Sequence, residues 1–340
     1  MGKVLTDVAA HGAVRLAAIG DELGLWKDLA TNGPATPAEL AKRAGIDERY
    51  AIEWLNGVFA AEYVLYADDR YSLSPEAAMV LALEDTPVSF GGVFEFIEGS
   101  APIFDELCEA FRTGGGVPQS SYGPHMWRGI ARFTNGAFEN NLVPDWLPLV
   151  PEIQAKLVAG CYLADVGTGA ARALIKLAQA FPKSRFVGYD VSPEQVALAR
   201  EYVAAAGVED RVRVEVFDGA AGLPEDFDVI TTFDVVHDSV DPAGLLRSIH
   251  DALRPDGRYY CMDINSSHEA HDNVGPLGQF LWNCSVQYCM TVSLAQGGTG
   301  LGTCGFNEPV ALEMLKDAGF STARRIEIDD PFNAFYEATR

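Results

Sequence analysis

Positive charge is what this chain has least of. Its 340 residues hold 25 lysines and arginines against 48 aspartates and glutamates, a formal net charge of −23. Binding nucleic acid depends on Lys and Arg replacing the counterions of phosphates, so a polyanionic partner is disfavoured. A cationic ligand is weakly favoured, although such acidity mostly serves solubility. The six cysteines (Cys108, Cys161, Cys261, Cys284, Cys289 and Cys304) include no CxxC pair, and several lie in apolar runs. That usage points to reduced, structural thiols in a cytoplasmic protein. No apolar stretch reaches the length of a membrane span, and the N-terminus lacks the apolar core and cleavage site of a signal peptide. Gly2 and Thr6 satisfy a myristoylation pattern so short that it arises often by chance. Internal repeats and long low-complexity tracts are also missing. With 48% hydrophobic residues, the chain is long enough for two domains with ample cores.

Against that background one stretch stands out, CYLADVGTGAARALIKLAQAFPKSRFVGYD, residues Cys161–Asp190. An apolar run ends in Asp165 and a glycine turn (Gly167, Gly169). A helix with Ala173, Leu174, Leu177 and Ala178 on one face follows, and a second apolar run closes on Asp190. This is the pattern of a nucleotide-binding βαβ unit. Glycines let a backbone approach a ligand where a Cβ would collide. An acid ending the second strand can accept hydrogen bonds from both hydroxyls of a ribose. A dinucleotide site would have three glycines and helix N–H groups facing a pyrophosphate. Here the third position is Ala171, and Asp165 would repel phosphates while suiting an ammonium group. The alternative is a βαβ crossover that binds nothing.

The stretch resembles the opening motif of the class I S-adenosylmethionine (SAM) methyltransferases, acid-x-Gly-x-Gly-x-Gly, departing from it at Ala171. The resemblance implies that Asp165, Gly167 and Gly169 hold the methionine end of SAM and that Asp190 binds its ribose. It also implies that Asp218 sits beside the adenine amino group, with Phe217 or Gly219 near the ring, and adds Phe233 and Asp234 to the cofactor site. A plain turn is the alternative for Asp218-Gly219.

Upstream, apolar residues recur at helical spacing from Val4 to Leu29. Thr36, Pro37 and Glu39 predict a capped short helix, Gly45 its end, and Asp47 the cap of a longer one. Tyr63–Tyr66 and Arg70–Leu73 read as a hairpin, giving a winged helix. Between Thr36 and Asp85 acids outnumber bases ten to four, and the candidate recognition helix offers Arg49 amid Asp47, Glu48 and Glu53. That is the wrong charge for reading DNA. The arrangement resembles the small-molecule O-methyltransferases of plants and bacteria, whose winged-helix domain serves dimerisation and covers the substrate. A homodimer acting in secondary metabolism is therefore expected. Residues 86–150 carry helical patches rich in aromatics, some of them expected to wall an acceptor pocket.

From Pro151 onward strands and helices alternate, predicting a parallel sheet with ligands at its carboxyl ends. Asp165, Asp190, Asp218 and Asp234 all fall at such ends. The fold expected is α/β, a Rossmann-like seven-stranded sheet behind a mainly helical winged-helix domain. The expected boundaries are 1–85, 86–150 and 151–340.

His237, in FDVVHDSVDP, lies just past the fourth strand, where the plant-type enzymes have a His-Asp pair whose histidine is the base. A phenol, with a pKa of about 10, needs such a base at neutral pH. Asp263, ending the fifth strand, is the candidate to orient the imidazole. The sequence departs from the plant type in two ways: Ser239 stands where that motif has Trp, and GGTGLGT carries no glutamate after its Gly-Gly pair. A substrate-orienting or structural histidine is the alternative. His268, His271 and Asp272 could be read as metal ligands but fall short of a closed zinc site, so no metal is expected. Gly297–Gly305 resembles a phosphate loop in glycine content alone. Residues Gln279–Met290 form a helix with one face toward core or acceptor, Asn307 caps the last helix, and two strands finish the sheet. The expectation is a SAM-dependent methyl transfer to a small apolar or aromatic acceptor at oxygen, with no membrane or nucleic-acid partner. C- or N-methylation, a non-methylating SAM-binding homologue and a ligand-responsive regulator are the alternatives.

Overall fold

A computed structural model describes all 340 residues. The chain divides into two compact units. One comprises Met1–Ala101 and Gly123–Asn141, the other Pro102–Tyr122 and Leu142–Arg340.

In the first unit, helices Gly2–Glu22, Leu25–Asn32, Pro37–Ala44 and Glu48–Ala60 lead to the hairpin of β1 (Leu65–Ala67) and β2 (Arg70–Ser72). The helix starts follow from their caps. Thr36 and Glu39 form a reciprocal capping box, and the Asp47 carboxylate accepts the Arg49 N–H at 2.9 Å. Trp26 and Trp54, with ring centroids 4.7 Å apart, centre a core that includes Leu25, Leu40, Leu55 and Val58. Each indole N–H is satisfied by a carbonyl of the first helix, Ala17 or Leu16, at 2.9 Å. Helices Gly91–Ser100 and Pro124–Phe133 pack backbone to backbone, because a Cβ at Gly99 or Gly129 would strike the facing main chain. Arg132 knits the unit through Asp21, Glu84 and Glu95.

The second unit is built on seven strands in the order β5-β4-β3-β6-β7-β9-β8. They are β3 (Tyr162–Val166), β4 (Arg185–Asp190), β5 (Val212–Val216), β6 (Phe227–Phe233), β7 (Leu253–Ile264), β8 (Thr322–Ile326) and β9 (Asn333–Thr339). The first five of these run parallel, and β9 is antiparallel to both of its neighbours. Central strands are covered on both faces, so β3 and β7 carry nearly unbroken buried runs such as Leu163–Val166 and Tyr259–Asp263. Strand order reverses between β3 and β6, which opens a crevice at their carboxyl ends. The last helix, Glu308–Asp317, follows Asn307 without a side-chain cap bond, contrary to the expected cap. The Asn307 amide instead donates to the Cys304 carbonyl at 3.1 Å. No helix is long and apolar enough to cross a membrane.

Candidate functional site

The crevice gathers the residues expected of it, though not all on its rim. Asp165 lies below it, 2% exposed, with Oδ1 accepting the Thr231 hydroxyl at 2.7 Å across the reversal between β3 and β6. Burial pushes its carboxyl up to about 7, against the pull of that hydroxyl. Above it the turn is drawn tight, with the N–H groups of Gly167 and Thr168 both donating to the Tyr189 carbonyl, at 2.7 and 3.0 Å. Gly167 (φ +72°) and Gly169 (φ +51°) are left-handed, for different reasons. A Cβ on Gly167 would run into Val235, whereas one on Gly169 would project into open space. Ala171, at the third position, is also left-handed (φ +58°), so this backbone keeps the glycine conformation while the residue has a methyl.

Asp190 ends β4 and ties the turn to the next helix. Its Oδ2 accepts the Gly169 N–H at 2.8 Å and its Oδ1 that of Ser192 at 2.9 Å. Each oxygen keeps a second lone-pair direction for an outside donor. Burial raises this carboxyl, partly offset by the two N–H groups. Phe217 follows β5, its ring 5.4 Å from that of Tyr189. Asp218 is exposed and caps the next turn by accepting the Ala220 N–H at 2.9 Å. Gly219 is buried against Val166, so its small size serves packing.

Phe233 ends β6 and Asp234 follows in the left-handed region (φ +57°), its Oδ1 buried without a partner. Burial, reinforced by the neighbouring Asp263, pushes Asp234 up to about 7, and burial does the same to Asp238. His237, 4% exposed, sits on the short turn Val236–Asp238. Its Nδ1 meets Asp263 Oδ1 at 2.7 Å, and Asp263 is fully buried with Oδ2 unpartnered. Burial alone would lower the imidazole. The adjacent Asp263 carboxylate reverses that and, with Cys289, holds His237 well above its ordinary value.

The segment Gln279–Met290, expected as one helix with a face toward core or acceptor, contributes through a break in its helical geometry. Helix Gly275–Cys284 widens into a π-turn over Ser285–Cys289 before resuming at Met290–Ala295. That turn sets Cys289 beside His237 and the buried Tyr288 near Asp238 and Asp190. The segment before Tyr122 is pinned to it, since the Val117 N–H donates to Thr291 Oγ1 at 2.9 Å and the Tyr122 hydroxyl to the Gln287 carbonyl at 2.6 Å. π-Turns recur at functional sites, but α-helical periodicity cannot register one.

His268 and His271 do not converge. His268 faces Asn307 at 3.3 Å and the His271 side chain is 79% exposed. Glu22, Glu95 and His125 do converge in the first unit, but Arg128 already supplies the cation there, 2.6 Å from Glu95.

Residues 164–259 match the family described as a methyltransferase domain, and residues 12–83 an Rv2258c-like winged HTH domain. A ubiquinone biosynthesis O-methyltransferase of Ruegeria pomeroyi is 31% identical over 113 residues, 33% of this chain and 45% of that protein. An arsenite methyltransferase of Aquipseudomonas alcaligenes is 27% identical over 186 residues, 46% and 52% of the respective chains. The chain thus spans about half the length of these curated relatives. Human N-acetylserotonin methyltransferase, solved in complex with SAM, shares the fold at a TM-score of 0.71 and 18% identity, over 100% of this chain and 98% of that one.

Proposed function

We infer that this chain, which carries a methyltransferase domain and an N-terminal winged helix-turn-helix domain, is a SAM-dependent enzyme that methylates a hydroxyl oxygen of a small, largely apolar or aromatic molecule. The observation that carries the reading is the buried His237–Asp263 pair, 2.7 Å apart, at the same strand ends as the glycine turn and Asp190.

The residues present fit SAM. Asp190 has lone pairs left for two ribose hydroxyls, and Gly169 leaves open the volume a side chain would fill. The unpartnered, buried Oδ1 of Asp234 suits a ligand bearing positive charge. Gly167 and Asp165 would support the methionine end, and Phe217, Asp218, Gly219 and Phe233 would flank the adenosine. When bound, the cofactor supplies a methyl group made electrophilic by its sulfonium sulfur.

His237 would take the acceptor's proton. The contact with Asp263 fixes a proton on Nδ1, so Nε2 is the nitrogen left to act as base. The acceptor oxygen must lie in line at about 3 Å from the methyl carbon, a distance set by binding rather than by His237. Cys284, Cys289 and Cys304, all buried near His237, favour a second acceptor class, a thiophilic one such as the arsenite named for one relative.

Three of the four bases between Thr36 and Asp85 are already paired with acids (Arg43–Asp28, Arg49–Glu53 and Arg70–Glu39), which supports a structural rather than a DNA-reading role. Val4, Leu5 and Val8 on the first helix are 64–68% exposed, an apolar stripe that a second copy would cover in a homodimer. Six free cysteines support a reducing, cytoplasmic setting.

Thermal unfolding with saturating S-adenosylhomocysteine (SAH) tests the cofactor half. Ligand at about a hundred times Kd should add roughly 2.7 kcal/mol, and no shift would sink the reading. With a phenol or catechol acceptor, His237→Ala should cut kcat about a hundred- to ten-thousand-fold while leaving the SAH shift intact. An unchanged rate would remove His237 from the chemistry.

A further inference from the structure

The glycine run Gly297–Gly305 grips the turn that carries His237. Helix Met290–Ala295 ends in a Schellman motif. The Gly298 N–H donates to the Ser293 carbonyl at 2.9 Å and the Gly297 N–H to that of Leu294 at 3.0 Å. Gly297 supplies the left-handed residue that this ending needs (φ +76°). The chain thereby doubles back along its own helix. At Gly298 it passes so close to the chain after His237 that a Cβ would lie 2.7 Å from the Val240 carbonyl oxygen.

Two successive carbonyls follow the His237 turn, and both are satisfied from this side. The Ser239 carbonyl accepts the Ser293 hydroxyl at 3.1 Å, and the Val240 carbonyl accepts the Thr299 N–H at 3.3 Å. Ser293 is fully buried, and its Oγ also accepts the Gly300 N–H at 3.2 Å. One hydroxyl, donating once and accepting once, thus joins helix, glycine run and His237 turn. Farther along, the run is tied to the same helical segment again, the Thr303 N–H donating to Ser285 Oγ at 3.2 Å. Eight residues separate the two serines, which in an α-helix would leave their side chains about 80° apart. The π-turn over Ser285–Cys289 takes up one residue and brings both serines round to the run.

His237 is therefore held twice. Its ring is fixed by Asp263 on β7, 2.7 Å away. Its backbone is fixed two residues on, where Ser293 bonds the Ser239 carbonyl. Misplacing a reacting group by about 1 Å can cost about a hundredfold in rate, so the backbone hold bears directly on the chemistry.

We propose that Ser293 is a positioning residue for the methyl transfer, keeping the His237 turn in register with Asp263 through the Ser239 carbonyl. The proposal rests on His237 acting as the base.

Ser293→Ala and Ser285→Ala test it together. Each deletes one buried hydroxyl that accepts an N–H of the glycine run, and only the first also releases the Ser239 carbonyl. Proton NMR of the SAH-saturated proteins follows exchange with water of the His237 Nδ1 proton, identified by its loss in His237→Ala. That exchange should quicken at least about tenfold in Ser293→Ala and keep its wild-type rate in Ser285→Ala. With a phenol or catechol acceptor, Ser293→Ala should lower kcat at least about tenfold while the acceptor KM stays within about twofold. Ser285→Ala should leave both unchanged. Ser293→Cys, which keeps the shape but offers only a weak donor, should move both readouts the same way even where the alanine protein does not fold. Wild-type exchange and kcat in the Ser293 variants would overturn the proposal, as would equal effects from Ser285→Ala. Failure of SAH to bind, or an unchanged rate in His237→Ala, strikes the proposed function. A His237→Ala loss beside unaffected Ser293 variants strikes this inference alone.

Discussion

A base is useful only when it is empty, and the setting of His237 favours its protonated form. Asp263, 2.7 Å away, keeps the imidazole above its ordinary value, so the neutral form grows as pH rises through that raised pKa. The low-pH limb of kcat should therefore lie above the usual histidine range of about 6.5. Asp263→Asn removes the negative charge, so that limb should move to lower pH while the maximal rate falls through lost orientation of the ring. A kcat–pH profile of the two proteins checks this, and an unmoved limb would show that Asp263 acts on something else. The pairing was readable in the sequence because both residues sit where strands end, and parallel strands bring such ends together. Cys289 was not, because a helix pattern assigns it by steps of 3.6 residues and the chain there takes a wider turn.

The turn after β3 separates two uses of glycine at the level of an element. At Gly167 a side chain meets Val235, so Gly167→Ala should cost the free protein about 2–4 kcal/mol through collision and left-handed strain. At Gly169 there is room, so Gly169→Ala should cost only about 1–2 kcal/mol of strain. Its penalty should fall on the ligand instead, as a loss of SAH affinity of at least about tenfold. Denaturant unfolding with and without SAH distinguishes the two. Unaltered SAH affinity in Gly169→Ala would mean that the open volume beside it is not used. The strand and helix alternation from Pro151 was legible because buried parallel strands and amphipathic helices leave different periodicities. The left-handed backbone at Ala171 was not, since alanine carries no signal for it. Asp165 read as a rim acid because strand ends are visible in sequence but depth is not.

Around the crevice of the second unit, five groups shift in one direction, Asp190 among them. Asp165, Asp234 and Asp238 sit at about 7 and His237 above its usual value, all higher than in an unfolded chain. A group whose folded pKa exceeds its unfolded one gives stability that is complete below the unfolded pKa and lost as pH climbs through the folded value. For the carboxyls that window runs from about pH 4 to pH 7, and for His237 it begins at about 6.5. The ligand-free protein should thus be less stable at about pH 8 than at about pH 6. A sulfonium ligand among ionised carboxylates should restore more than a neutral thioether does, so SAM should raise Tm more at the higher pH than SAH does. Thermal scans at both pH values decide it, and matching pH trends for the two ligands would dismiss the acids as a cation trap. The division of the chain carries a practical corollary. The polypeptide passes between its two units after Ala101, after Tyr122 and after Asn141, so no single cut releases both intact. A gene fragment beginning at Leu142 would forgo the span that pins Val117 and Tyr122 onto the π-turned helix. Anyone wishing to study the second unit alone would have to splice that short piece back in.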